Sequence, residues 1–129
     1  MAQIKIYGLR DHLASIREKL SDVLHSCVVD ALKFPADKRA HRFFLLEDDD
    51  FYFPGSATPR YTIIEISMFE GRSVETKKAL IRLIFERVTS QCDRLPNEIE
   101  ITISETPKHN WGFRGLPGDE IGLPYKVEV

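Results

Sequence analysis

The 129-residue chain has no proline before Pro35, only two cysteines and four histidines, and its 18 basic residues nearly cancel 20 acidic ones. Each shortage excludes something. Without an early proline there is no secondary amine near the amino terminus and nothing to break a first helix. Cys27 and Cys92 show no C-x-x-C spacing, which excludes a disulfide scaffold or thiolate metal cluster and leaves two reduced thiols as the expectation. His12, His25, His41 and His109 show neither H-E-x-x-H nor any paired-ligand spacing, so no metal is expected. A net charge of -2 lacks the cationic excess on which phosphate binding rests, so no nucleic acid partner is expected. The amino end alternates through Ile4, Lys5, Ile6 and Tyr7 without a long apolar run. Neither a signal peptide nor a membrane span is expected, and the chain reads as cytoplasmic. There is no G-x-S-x-G elbow, P-loop or G-x-G-x-x-G, and no cofactor is expected.

What is present suits one compact domain over residues 1–129, with 43% hydrophobic and 29% charged residues. Residues 3 to 9 alternate as a strand does. From Asp11, a residue type suited to an N-cap, Leu13, Ile16, Leu20, Val23, Leu24, Cys27 and Ala31 recur at helical spacing. The helix should stop near Lys33, since Pro35 disfavours helical geometry at Phe34, and Phe43-Phe44-Leu45-Leu46 then reads as a buried strand. The same order returns as a strand from Thr62 to Phe69, an N-cap at Ser73 and an apolar stripe Leu80, Ile81, Ile84, Val88, Cys92. Leu95-Pro96 and a strand from Ile99 to Ser104 complete it. Pro35 and Pro96 are 61 positions apart and Asp11 and Ser73 are 62 apart, so the chain reads as two copies of one βαβ unit, at 3–47 and 61–104. Residues 48–60 connect them, and an aromatic segment and tail occupy 105–129.

The expected fold class is α+β, with two tandem βαβ units forming a four-stranded mixed sheet and two helices on one face. Glu65, Ser67, Glu100, Thr102 and Ser104 then point to the other face, which either meets water or packs in an oligomer. The connection carries Phe51, Tyr52 and Phe53 among acids, Pro and Gly, and its aromatics either pack on the body or a neighbour or form a ligand lid.

Two short stretches point to a family. Glu70-Gly71-Arg72-Ser73 ends a strand and opens a helix, and His109-Asn110-Trp111-Gly112-Phe113-Arg114-Gly115 follows some forty residues later. In order and spacing, strand, Glu-Gly-Arg-Ser turn, helix, Leu-Pro stop, strand and Trp-Gly-Phe segment resemble the tautomerase superfamily. The whole chain resembles its two-unit members of the malonate semialdehyde decarboxylase and cis-3-chloroacrylic acid dehalogenase kind. The resemblance implies a homotrimer, and a keto-enol tautomerase acting on a small carboxylate without the family's usual proline amine. The alternative is a non-catalytic small-anion-binding or interaction protein that keeps the trimeric fold and its pocket.

The resemblance also assigns roles. Arg72 would hold a substrate carboxylate at a helix N-terminus, or else pair with Glu70 or a neighbour's acid. Trp111 and Phe113 would wall the pocket or pack a subunit interface, and Arg114 adds a second cation. The family amine falls near Gln3 or Ile4, behind an extension; candidates for a base are the Ala2 amine freed by removal of Met1, Gln3 and His109. In the loop before the second strand, where decarboxylase-like members carry a water-activating carboxylate, Asp37 is the only acid available.

Overall fold

In the computed structural model, which describes residues 2–129, strand β1 (Ala2–Leu9) runs directly into a short helix α1 (Arg10–Leu13). A 3-10 turn at Ala14–Ile16 leads to α2 (Arg17–Leu32), and β2 follows at His41–Leu46. After the connection come β3 (Thr62–Phe69), α3 (Val74–Gln91), β4 (Ile99–Thr106) and a small hairpin of β5 (Gly112–Phe113) and β6 (Leu116–Pro117). The main sheet has the order β2-β1-β3-β4. Each unit contributes a parallel pair, and the two units join through antiparallel β1 and β3, which makes the sheet mixed as expected.

The repeat is visible in the backbone. β1 and β3 are each eight residues long and share one alternation of buried and half-buried positions. Lys33 and Asp93, 60 positions apart, both adopt a left-handed conformation (φ 55° and 52°) just past the two long helices, where a left-handed residue closes the last turn. Alternation puts Ile4, Ile6, Ile64, Ile66 and Met68 against Leu20, Leu24, Cys27, Leu80, Ile84 and Val88 of the helices. On the other face Tyr7 donates to Glu65 Oε1 at 2.8 Å and stacks on Phe44 with ring centroids 4.7 Å apart.

Three local expectations need correction. Asp11 is not an N-cap: β1 enters the helix without a turn, Leu9 takes the N-cap place, and no side chain bonds to the freed amides there. The first helix is also interrupted by the 3-10 turn. The run Phe43-Phe44-Leu45-Leu46 is not a fully buried strand, because β2 lies at the sheet edge and Phe44 is 37% exposed. Among the described residues, no helix is long and apolar enough to cross a membrane.

Candidate functional site

Antiparallel pairing sets Ala2 opposite Met68, so the head of β1 meets the tail of β3 at one end of the sheet. The turn Glu70-Gly71-Arg72-Ser73 leaves from that end. Gly71 has φ 134°, a conformation side chains rarely adopt, and a Cβ there would lie 2.9 Å from Val127 Cγ1. Ser73 caps α3 as expected: its backbone is extended and its hydroxyl accepts from the Thr76 amide at 3.1 Å. Between them sits Arg72, 4% exposed.

Its guanidinium is poorly served. Nη1 donates to the Phe69 carbonyl at 3.4 Å, while Nε and Nη2 are buried without a hydrogen-bond partner among the described residues. Burial pushes its pKa down, against the pull of Tyr125, Glu105 and Glu128. The alternative of a pairing with Glu70 is not among the ion pairs of the described residues. Glu105 instead binds Lys77 at 2.6 Å.

Phe69, fully buried, is the centre of the aromatic wall: Trp111 meets it edge-on at 5.1 Å and Phe113 lies 6.1 Å away. The hairpin that carries Phe113 turns through Arg114 (φ 53°) and Gly115 (φ 80°), the two positive φ values a two-residue loop of this kind requires. This places the Arg114 guanidinium 5.4 Å from the centroid of the Phe113 ring. Gly118 locks the hairpin down, its amide donating to the Trp111 carbonyl at 2.6 Å where a Cβ would crowd the Lys108 carbonyl. Gly112, Phe113, Gly115 and Leu116 line a shallow depression of about 360 Å³.

Of the residues named from sequence, Arg72, Trp111, Phe113 and Arg114 thus converge around Phe69. Ala2, buried at the first position of β1, lies at the same end. Gln3 is turned to other use, accepting from Arg42 Nη2 at 3.0 Å. His109 is exposed on a 3-10 turn, and Asp37 is exposed in the loop after α2. Sequence reasoning missed Phe69, which reads as ordinary core, and the tail. Tyr125 packs edge-on against Phe34 at 5.0 Å, Val127 is buried over Gly71, and the Val129 carbonyl accepts from the Ser73 amide. The alternation of apolar Tyr125, Val127 and Val129 with charged Lys126 and Glu128 was the available signal.

Residues 38–114 match the family model described as tautomerase enzyme, and the chain belongs to that family. It is 34% identical over 58 residues to a 2-hydroxymuconate tautomerase of Comamonas testosteroni, a match covering 45% of this chain and 92% of that one. Over 103 residues it is 26% identical to the Bacillus subtilis (strain 168) protein named Probable tautomerase YrdN, covering 74% and 78%. Native fused 4-OT superposes with a TM-score of 0.83 at 21% identity over 94% of this chain and 99% of that one. Malonate semialdehyde decarboxylase gives 0.81 at 19% identity over 92% and 99%. These last two likenesses carry the fold.

Proposed function

We propose that the chain is a homotrimeric, cytoplasmic keto-enol tautomerase of a small carboxylate, in which Arg72 holds the carboxylate. The observation that carries this reading is the buried Arg72 guanidinium with two unpartnered nitrogens beside the Phe69, Trp111 and Phe113 wall. A buried charged donor left unpaired is costly, and a ligand carboxylate offers the two acceptors it lacks. The aromatic rings keep water from that pair and offer a flat face to a conjugated enol.

For the proton, the reading takes the Ala2 amine, freed when Met1 is removed. An unperturbed α-amine has a pKa of about 8, and burial favours its neutral, basic form. Ala2 is 6% exposed. The trimer is supported by solved relatives such as the fused 4-OT asymmetric trimer, and by the outer sheet face with Tyr7, Phe44 and Glu65. The second reading, a non-catalytic carboxylate-binding protein, is favoured by the primary rather than secondary amine and by the exposed setting of His109.

Two measurements test this. Calorimetric titration with 2-oxo and enol acids should show Arg72→Ala weakening binding by about 1.5–3 kcal/mol, the range for hydrogen bonds to charged groups. Equal affinities in two proteins of unchanged oligomeric state would remove the site. Turnover of phenylenolpyruvate should be slow, be lost on acetylating the amino terminus, and rise in Ala2→Pro, since proline is tolerated at a strand's first residue and supplies the secondary amine. Binding without turnover in both proteins would leave the non-catalytic reading.

A further inference from the structure

The repeat does not stop at the strands and long helices. β1 and β3 end at Leu9 and Phe69, and a 3-10 turn follows the second strand of each unit, at Asp48–Asp50 and at Lys108–Asn110, every pair 60 positions apart. At the same offset Phe51 and Phe53 answer to Trp111 and Phe113, and His12 and Asp48 answer to Arg72 and Lys108. The connection between the units is thus a second copy of the aromatic segment. It builds a second cavity, at the end of the sheet where β1 finishes and β3 begins. This cavity holds about 380 Å³, with Leu9, Phe51, Phe53 and Pro59 as apolar walls and Asp11, His12 and Asp48 as polar ones. Its size falls within the range of small-molecule sites. Tyr61, 6% exposed, backs the two rings with its centroid 6.0 Å from Phe51 and 6.5 Å from Phe53.

What differs between the copies is the sign of the charge. One end carries Arg72, Lys108 and Arg114, whereas the other carries Asp11 and Asp48, with an imidazole at the counterpart of Arg72. Neither aspartate has an ion pair among the described residues. The arginines of this end are engaged elsewhere: Arg10 holds Glu47 at 2.8 Å, Arg60 lies 3.6 Å from Glu98, and Arg94 donates to the His12 carbonyl. Two carboxylates without a counter-ion, beside a pair of aromatic rings, suit an organic cation. A metal ion fits less well, because no group of three or more His, Cys, Asp or Glu among the described residues is placed to hold one. We propose that this cavity is a second binding site, for a small organic ammonium ion, with Asp11 and Asp48 supplying the counter-charge and Phe51 and Phe53 the cation–π contact. It is separate from the Arg72 site and does not depend on what that site binds.

Benzylamine is the probe, with benzyl alcohol as its neutral counterpart and benzoate as its anionic one. On adding benzylamine to the whole protein, amide chemical shifts should move at residues 9–12 and 48–53, and benzyl alcohol should need roughly five- to tenfold more to move them. Asp11→Asn combined with Asp48→Asn should weaken benzylamine by a similar factor and leave benzyl alcohol unchanged. Phe53→Leu, which keeps an apolar side chain without the ring, should weaken benzylamine by about two- to fivefold. Shifts confined to residues 111–116, or none at all, overturn the site. Benzyl alcohol or benzoate moving the same amides as readily as benzylamine overturns the choice of a cation, and this comparison needs no substituted protein. Affinity indifferent to loss of both carboxylates removes their role, and affinity indifferent to Phe53→Leu removes the ring contact.

Discussion

Two arginines are buried among the described residues, at opposite ends of one sheet, and the chain treats them differently. Arg94 is 6% exposed and sits before β4, at the end where β3 begins. It donates to the His12 carbonyl, reaches Thr62 Oγ1 at 3.5 Å, and has the Glu98 carboxylate, 1% exposed, to offset its charge. Glu98 is itself well held. Burial pushes its carboxyl up, but the Leu95 amide, the Thr58 hydroxyl and the Arg60 and Arg94 guanidinia outweigh that and hold it below the ordinary range. Arg72 has one long bond to a carbonyl, and the acids nearest to it answer to Lys77 and Lys108. Arg94 is thus answered by bonds and by a buried carboxylate, whereas Arg72 keeps two buried nitrogens without a hydrogen-bond partner among the described residues.

The sharpest way to break this contrast is to damage the satisfied end. Glu98→Gln removes the buried carboxylate shared by Arg94 and Arg60, leaving them only the exposed Asp93, and should cost about 3–5 kcal/mol in urea unfolding. A loss under about 1 kcal/mol would mean that Arg94 is no better answered than Arg72.

A second contrast lies where the outer strands begin, with Ile99 on β4 and His41 on β2. Burial, and then the Arg39 charge, lower the His41 pKa to about 4, and Ser21 Oγ lies 2.8 Å from its Nδ1. The folded pKa is the lower one, so the unfolded chain takes the proton first as pH falls. Stability should be complete above about 6.5 and decline toward pH 4 by on the order of 2 kcal/mol, a figure reduced for partial exposure. His41→Gln should flatten that slope, and an unchanged slope would show that other groups set it.

At the unsatisfied end the expected sign reverses. Arg72→Met should weaken carboxylate binding as Arg72→Ala does, yet raise stability by about 1 kcal/mol, since it deletes an unpaired buried charge. A clear loss of stability would show that the tail already satisfies Arg72. The smallest effect is expected at the hairpin. Arg114→Gly relieves a left-handed backbone and should gain up to about 1 kcal/mol in thermal unfolding, while affinity falls by about 0.5–1 kcal/mol as the cation leaves the Phe113 ring. Gain without loss of affinity would place Arg114 outside the site.

The strands and long helices were legible because one face of each is buried, which fixes period two or 3.6 in the apolar residues. Ser73 was legible as a cap because it precedes a clear apolar stripe, whereas Asp11 misled because β1 feeds its helix with no turn for a cap to close. The apolar run of β2 cannot by itself say whether the strand has one neighbour or two. The hairpin went unseen because Arg114-Gly115 is an unusual pair for a turn that ordinarily takes Asn-Gly. At the site, turn and wall residues could be named from the motif, but their meeting at Phe69 depends on the β3–β4 register that sets Phe69 opposite Thr106. Unpaired nitrogens and a covering tail are properties of packing, which no spacing in the chain records.

The doubled unit within one chain has a genetic consequence. A single-unit subunit that assembles on itself repeats every substitution at each equivalent end, because an isologous contact shows the same patch twice. Here the two ends are written by different codons, with strands of matching length and burial pattern still framing both. One end can therefore drift toward a neutralised arrangement while the other keeps its buried, unpartnered charge, and neither change is forced on its counterpart.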